Sequence, residues 1–167
     1  MHVLYLLRHA KSSWDDSTLA DHERPLAPRG RRDAKRIAEH LCRVGHEPEL
    51  VLCSSATRTR ETLDLVRPAL ATSTILLEEG LYGASYDELL ARIHVVPEPV
   101  SSVMLIGHNP GLHELAVTLA STGDELERLT VKFPTAALAT LALAKTWSGL
   151  APADATLEAY VVPKQLH

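Results

Sequence analysis

VLYLLRHAKSSW, residues 3–14, sets an apolar run against an abrupt polar stop. From Val3 to Leu7 every side chain is apolar, so the segment lacks the alternation of a half-exposed strand. A run this short, apolar on both faces, reads as a central strand of a parallel sheet covered on both sides. Two more such runs follow, LVLC at 50–53 and VMLI at 103–106.

Helical patterns fill the gaps. Ala34, Ile37, Ala38 and Leu41 lie at i, i+3, i+4 and i+7 after Pro28, and Gly45 is placed to end that helix. A second helix should start near Ala56, capped by Ser54 or Ser55, turn Leu63 and Val66 inward and stop before Pro68, with a brief strand at Thr74–Leu77. SYDE at 85–88 has capping-box spacing and opens a third helix carrying Leu89, Leu90 and Ile93. Asn109 and Pro110 are N-cap and first-turn proline for a fourth, with Leu112, Leu115, Ala116 and Leu119 inward. Residues 136–144 and 155–162 are strand-like, separated by a turn near Ser148-Gly149, and predict an antiparallel pair at one sheet edge. The β-α-β-α-β alternation predicts an α/β fold: a three-layer α/β/α sandwich, mostly parallel, with an antiparallel C-terminal edge. Residues 1–167 are expected to form a single domain.

Composition narrows the function. A formal net charge of -4 argues against general nucleic-acid binding, which leaves a basic footprint, so any anion site must be local. Val3–Leu7 is too short for a signal-peptide core, and no stretch nears the roughly 18 apolar residues of a membrane span, so a cytoplasmic protein is expected. Cys42 and Cys53 are expected to be buried reduced thiols. There is no GxxxxGK[ST] loop, no GxGxxG turn, no spaced carboxylate cluster and no HExxH zinc helix; neither metal nor cofactor is expected.

In open α/β sheets ligands bind beyond the carboxyl ends of the strands. There the chain carries Arg8-His9 after the first strand, SSATR from Ser54 to Arg58 after the second, and Gly107-His108-Asn109 after the third. One histidine after a strand is ordinarily a satisfied surface residue. Two histidines and two arginines delivered to one edge from separate segments point to phosphate chemistry. Arginine offers a permanently charged planar fork to phosphoryl oxygens, helix N-termini beside Ser55 and Asn109 add backbone donors, and a neutral histidine can attack phosphorus while another steadies the transferring oxygens. Arg24 and Lys11, in and before the loop after the first strand, are further candidates to bind substrate, with Trp14 and Tyr82 at the rim. The other cations of segment 24–36 read as a solvated helical face or a docking surface for a partner protein.

The ordered set RH at 8–9, SxxxR at 54–58 and GH at 107–108 resembles the histidine phosphatase superfamily, with its phosphoglycerate mutase-like fold, over nearly the whole chain. ERPLAPRG at 23–30, GLYGAS at 80–85 and IGHNPGLHELA at 106–116 resemble the SixA-type phosphohistidine phosphatases within it. The resemblance implies that His9 is the nucleophile, that Arg8, Arg58 and His108 bind the phosphoryl group, and that the substrate is a phosphohistidine protein or a small phosphate ester. Four positions depart from the pattern: Ala10 replaces a common glycine, Asp15 an asparagine, Ala27 a helix-capping threonine, and Asn109 stands where acid-phosphatase relatives have an acidic residue. Asp15 and Asp16 should face solvent. Glu78 or Glu79 could be the general acid of an alternative, a broad phosphomonoesterase or nucleotide-directed hydrolase; the other alternative is a non-catalytic phosphate-recognition module.

Overall fold

The computed structural model describes residues 1–166. The opening apolar run becomes β1 (His2–Arg8), followed by α1 (Pro28–Val44), β2 (Leu50–Ser54), α2 (Thr57–Val66), β3 (Thr74–Glu78), α3 (Tyr86–His94) and β4 (Ser102–Gly107). Then come α4 (Gly111–Leu119), a short β5 (Ala120–Thr122), α5 (Leu126–Val131), β6 (Leu138–Leu143) and β7 (Ala155–Val161). The strands make one seven-stranded sheet in the order β3-β2-β4-β1-β6-β7-β5.

The continuous apolar runs are continuous because each face of the sheet has its own core. Tyr5, Leu7, Val51, Cys53, Met104 and Ile106 meet α1 and α2 on one side. Leu4, Leu6, Leu50, Leu52, Val103 and Leu105 meet α3 and α4 on the other. Truncating a fully buried leucine such as Leu52 to alanine costs roughly 2–5 kcal/mol in such cores. The α/β/α sandwich is thus the fold observed.

The C-terminal edge differs from expectation. β6 pairs antiparallel with both β1 and β7, while β7 pairs in parallel with β5, so β6 alone runs against the other strands. The edge itself is β5, a three-residue strand where the chain leaves α4, too short to carry a sequence pattern. The six-residue α5 went unanticipated for the same reason.

Helix ends also differ. α2 has Ala56 at its N-cap and no side-chain cap, because Ser54 and Ser55 bond to other groups. α4 starts at Gly111 after a cis Asn109–Pro110 bond, and Asn109 donates to the Phe133 carbonyl instead of capping. The Ser85–Glu88 capping box forms as its spacing predicted, and Gly45 ends α1 at φ 72°. Cys53 is buried but Cys42 is exposed, on the outer side of α1. Among the described residues no helix is long and apolar enough to cross a membrane.

One close approach fixes the site's floor. A Cβ on Gly30, in the first turn of α1, would sit 2.2 Å from the carbonyl oxygen of Lys11, two residues after His9. Gly30→Ala must therefore push α1 off the loop behind His9, and overpacking of this kind costs about 1–3 kcal/mol. A lowered Tm together with reduced turnover is the expected result.

Candidate phosphoryl-transfer site

β1 lies between β4 and β6, so its carboxyl end opens at the middle of the sheet edge. The His9 N–H donates to the Gly107 carbonyl, and the Ala136 N–H is shared between the Arg8 and His9 carbonyls at 3.1 and 3.0 Å. Ala136 reaches both from the left-handed region, at φ 61°, a conformation retained only where surrounding bonds impose it. The Ala10 N–H donates to Thr62 Oγ1, whose hydroxyl donates to the Arg58 carbonyl, joining the end of β1 to α2. Ala10 has negative φ and its methyl is buried, which is how this chain accommodates it in place of glycine.

The His9 ring is 6% exposed. Its Nδ1 lies 2.7 Å from the Ala10 carbonyl oxygen. That oxygen can only accept, so Nδ1 carries the proton and Nε2 holds the lone pair. Burial, with the nearby charges of His108, Arg58 and Arg8, pushes the His9 pKa down to about 3. The ring is neutral at pH 7, with its lone pair on Nε2.

Ser54 sets the second histidine. Its Oγ accepts from the Ala56 N–H at 3.4 Å and lies 2.7 Å from His108 Nε2. The other ring nitrogen of His108, Nδ1, is buried and has no partner among the described residues. The rings of His9 and His108 are 5.2 Å apart, and burial and Arg58 hold His108 down at about 4. Arg8 donates through one terminal nitrogen to the Phe133 carbonyl, while its Nε is buried without a partner, as is Asn109 Oδ1. Buried polar atoms are nearly always satisfied, so three unmatched ones on Arg8, His108 and Asn109 make this the candidate place for a polar ligand.

Arg58 completes the cluster from the first turn of α2. It donates to the Asp21 carbonyl at 2.7 Å and to Asp21 Oδ2 at 3.0 Å. The same carboxylate accepts from Tyr82 Oη at 2.5 Å and from Arg24 at 3.0 Å. Tyr82, Arg58 and Arg24 together hold Asp21 well below the usual carboxylate range, so it is ionised and cannot serve as an acid. Tyr82 stands edge-on to both His108 and His22, and His22 Nε2 is 2.9 Å from Ser55 Oγ.

The structure brings Arg8, His9, Arg58 and His108 together, as the strand ends predicted. It places other candidates elsewhere. Arg24 is 7% exposed and spends its guanidinium on Ser12, Ser13 and Asp21, with Trp14 stacked at 3.2 Å; it braces the loop instead of offering itself to substrate. Lys11 is half-buried, and its carbonyl receives the Ala27 N–H. Glu78 is clamped by Arg92 through two bonds of 2.7 and 2.9 Å, which removes it as a free acid. Glu79 is exposed and makes no side-chain hydrogen bond among the described residues. Asp15 and Asp16 face solvent as expected. Sequence reasoning missed Asp21 and His22; the only trace was their position three and two residues before Arg24.

The low histidine pKa values carry a sign. In the unfolded chain histidine binds a proton near 6.5, so below that pH the unfolded state binds more protons than the fold. Stability from keeping His9 and His108 neutral is therefore present above pH 6.5 and is lost as pH falls toward about 3 and about 4. The ring NMR signals of His9 should keep the neutral Nδ1–H pattern down to about pH 5, whereas an ordinary histidine titrates near 6.5. A His9 midpoint at the ordinary value contradicts the buried geometry.

Comparison with known proteins agrees with this geometry. The family model of the histidine phosphatase superfamily (branch 1) matches residues 4–93. An uncharacterized protein of Mycobacterium tuberculosis is 38% identical over 165 residues, 95% of this chain and the whole of that one. A SixA-named structure from Nakamurella multipartitia superposes with TM-score 0.85 at 29% identity, covering 97% of this chain and 96% of that one. The protein histidine phosphatase SixA complexed with tungstate matches at TM-score 0.78 and 25% identity over 98% of each chain. More than half of the chain fits the family model and nearly all of it superposes on SixA structures: this chain belongs to the histidine phosphatase superfamily and is a SixA-type phosphatase.

Proposed function

We propose that the chain removes the phosphoryl group from phosphohistidine on a protein, by way of a phosphohistidine formed on His9. The observation that carries this reading is the neutral His9 ring, with Nδ1–H tied to the Ala10 carbonyl and Nε2 left for attack. Nε2 bonds to phosphorus as the P–N bond to the substrate imidazole breaks. The three phosphoryl oxygens take the donors of Arg8, Arg58 and His108. Water then attacks phosphorus, the His9 P–N bond breaks, inorganic phosphate leaves with the water's oxygen, and His9 returns to its starting state. Preorganised donors aimed at developing charge typically supply about 10²- to 10³-fold each.

The leaving group selects the substrate class. An alkoxide needs a proton in the transition state, and general acid catalysis contributes about 10²- to 10⁴-fold there. A phosphohistidine already protonated on its other ring nitrogen departs as neutral imidazole without one. Glu78 is tied to Arg92 by two hydrogen bonds, and Asp21 is kept ionised by three donors, so Asp21 has no proton to give.

Incubation with a labelled phosphodonor, followed by a quench, should give acid-labile, alkali-stable phosphate on His9. A protein that binds oxyanions yet never acquires this adduct refutes the proposal. Replacing both Glu78 and Glu79 by glutamine should leave phosphoramidate hydrolysis unchanged; a selective loss on alkyl phosphates would support the phosphomonoesterase alternative, and equal losses on both substrates would undo the leaving-group argument.

A further inference from the structure

A second concave surface lies beside the phosphoryl site. A groove of about 790 Å³ runs between the first half of α1, α5 and the segment after β7. Its walls carry Arg29, Arg32, Arg36, Arg128, Lys132 and Lys164 against two acids, Asp33 and Glu127, in a chain whose net charge is -4. Arg29 and Arg36 share Asp33, and Arg128 pairs with Glu125. Arg32 and Lys132 pair with no described carboxylate. Between the cations lies Val131 at 78% exposure, above the buried Tyr160 and Val162.

Position relates this groove to catalysis. Leu7 is level with Leu138 on β6, and Leu138 with Val161 on β7, so the chain past β7 emerges at the same sheet edge as Arg8 and His9. The wall is shared too. The Phe133 carbonyl accepts from Arg8 and Asn109, while the next two residues, Pro134 and Thr135, line the groove. α1 begins against the Lys11 carbonyl, which brings Arg29 and Arg32 behind the loop that follows His9.

We infer that this groove seats an acidic segment of the phosphorylated protein, glutamates or aspartates interspersed with an apolar side chain, while the phosphorylated residue occupies the His9 pocket. The inference rests on the reading of the substrate as a phosphoprotein. Charge complementarity names the occupant: unpaired cations around an apolar floor repel a basic partner and leave a neutral one without anions for Arg32 and Lys132. Val131, exposed at the groove, gives an apolar side chain of the partner a surface to bury, and a free phosphate ion has no such side chain.

The test uses the full chain, a short fluorescent peptide of glutamates around one leucine, and a glutamine version of the same peptide. Wild type should bind the glutamate peptide, less tightly as salt rises, and the glutamine peptide weakly. Arg32→Glu with Lys132→Glu should weaken binding at least about tenfold while hydrolysis of a small phosphoramidate is unchanged. That unchanged turnover also shows that the variant folds, since both residues are exposed. Equal binding of the two peptides, insensitivity to the double charge reversal, displacement by millimolar inorganic phosphate, or stronger retention on anionic vesicles would each overturn the inference. Peptide binding by a wild type that never acquires phosphate on His9 defeats the catalytic reading and leaves the groove as an acidic-peptide site.

Discussion

On the proposed mechanism, His9→Ala should abolish the covalent phosphoenzyme and lower turnover of a phosphohistidine substrate on the order of 10⁴- to 10⁶-fold. That is the range found when a nucleophile is removed from a site whose other groups remain. The loss should fall on kcat, because the donors proposed to hold the phosphoryl group belong to Arg8, Arg58 and His108 and survive the substitution. Tungstate or phosphate should therefore still bind to His9→Ala, measured by calorimetry. The variant is also expected to be no less stable at pH 5 than at pH 7 by the His9 contribution, since the protonation of one buried ring no longer opposes folding. A variant that keeps a substantial fraction of wild-type turnover would move the nucleophile elsewhere, and an adduct on another residue would identify it.

The parts of this site that were legible in the sequence are those tied to strand ends. A β-strand apolar on both faces has a fixed place in a covered parallel sheet, so whatever follows it is delivered to the carboxyl edge, and Arg8, His9 and His108 needed only that rule. Arg58 needed one more turn of helix. Arg24 shows where the rule stops: it was correctly placed in the loop after β1, but a loop's side chains can turn inward as readily as outward, and this one is consumed by Ser12, Ser13 and Asp21. Asp21 itself was illegible because an acid beside a phosphate pocket looks unfavourable until its three donors are seen. The serines before α2 illustrate the converse. Their capping propensity was real, but Ser54 meets His108 and Ser55 meets His22, and the helix does without a side-chain cap.

Arg58→Ala should lower kcat/KM by about 10²- to 10³-fold, the usual cost of deleting one preorganised donor to a developing oxyanion. Arg58→Lys should recover only part of it, because an ammonium restores the charge but not the planar fork that spans Asp21 and a phosphoryl oxygen together. Asp21 makes the comparison informative. Its backbone carbonyl and its carboxylate each take one Arg58 bond, so Asp21→Asn keeps the 2.7 Å carbonyl contact while removing a negative charge next to the anion site. If Asp21 chiefly opposes the incoming phosphoryl group, Asp21→Asn binds inorganic phosphate more tightly, by less than about tenfold because the carboxylate is half exposed and screened. Tighter phosphate in turn slows product release, so kcat should fall while phosphate inhibition strengthens. Weaker phosphate binding in Asp21→Asn, with a loss not additive with Arg58→Ala, would show instead that the carboxylate's main work is to aim the guanidinium. We expect the first result: Arg58 already has the carbonyl to aim it, and the charge of Asp21 is then what keeps the pocket from holding its product.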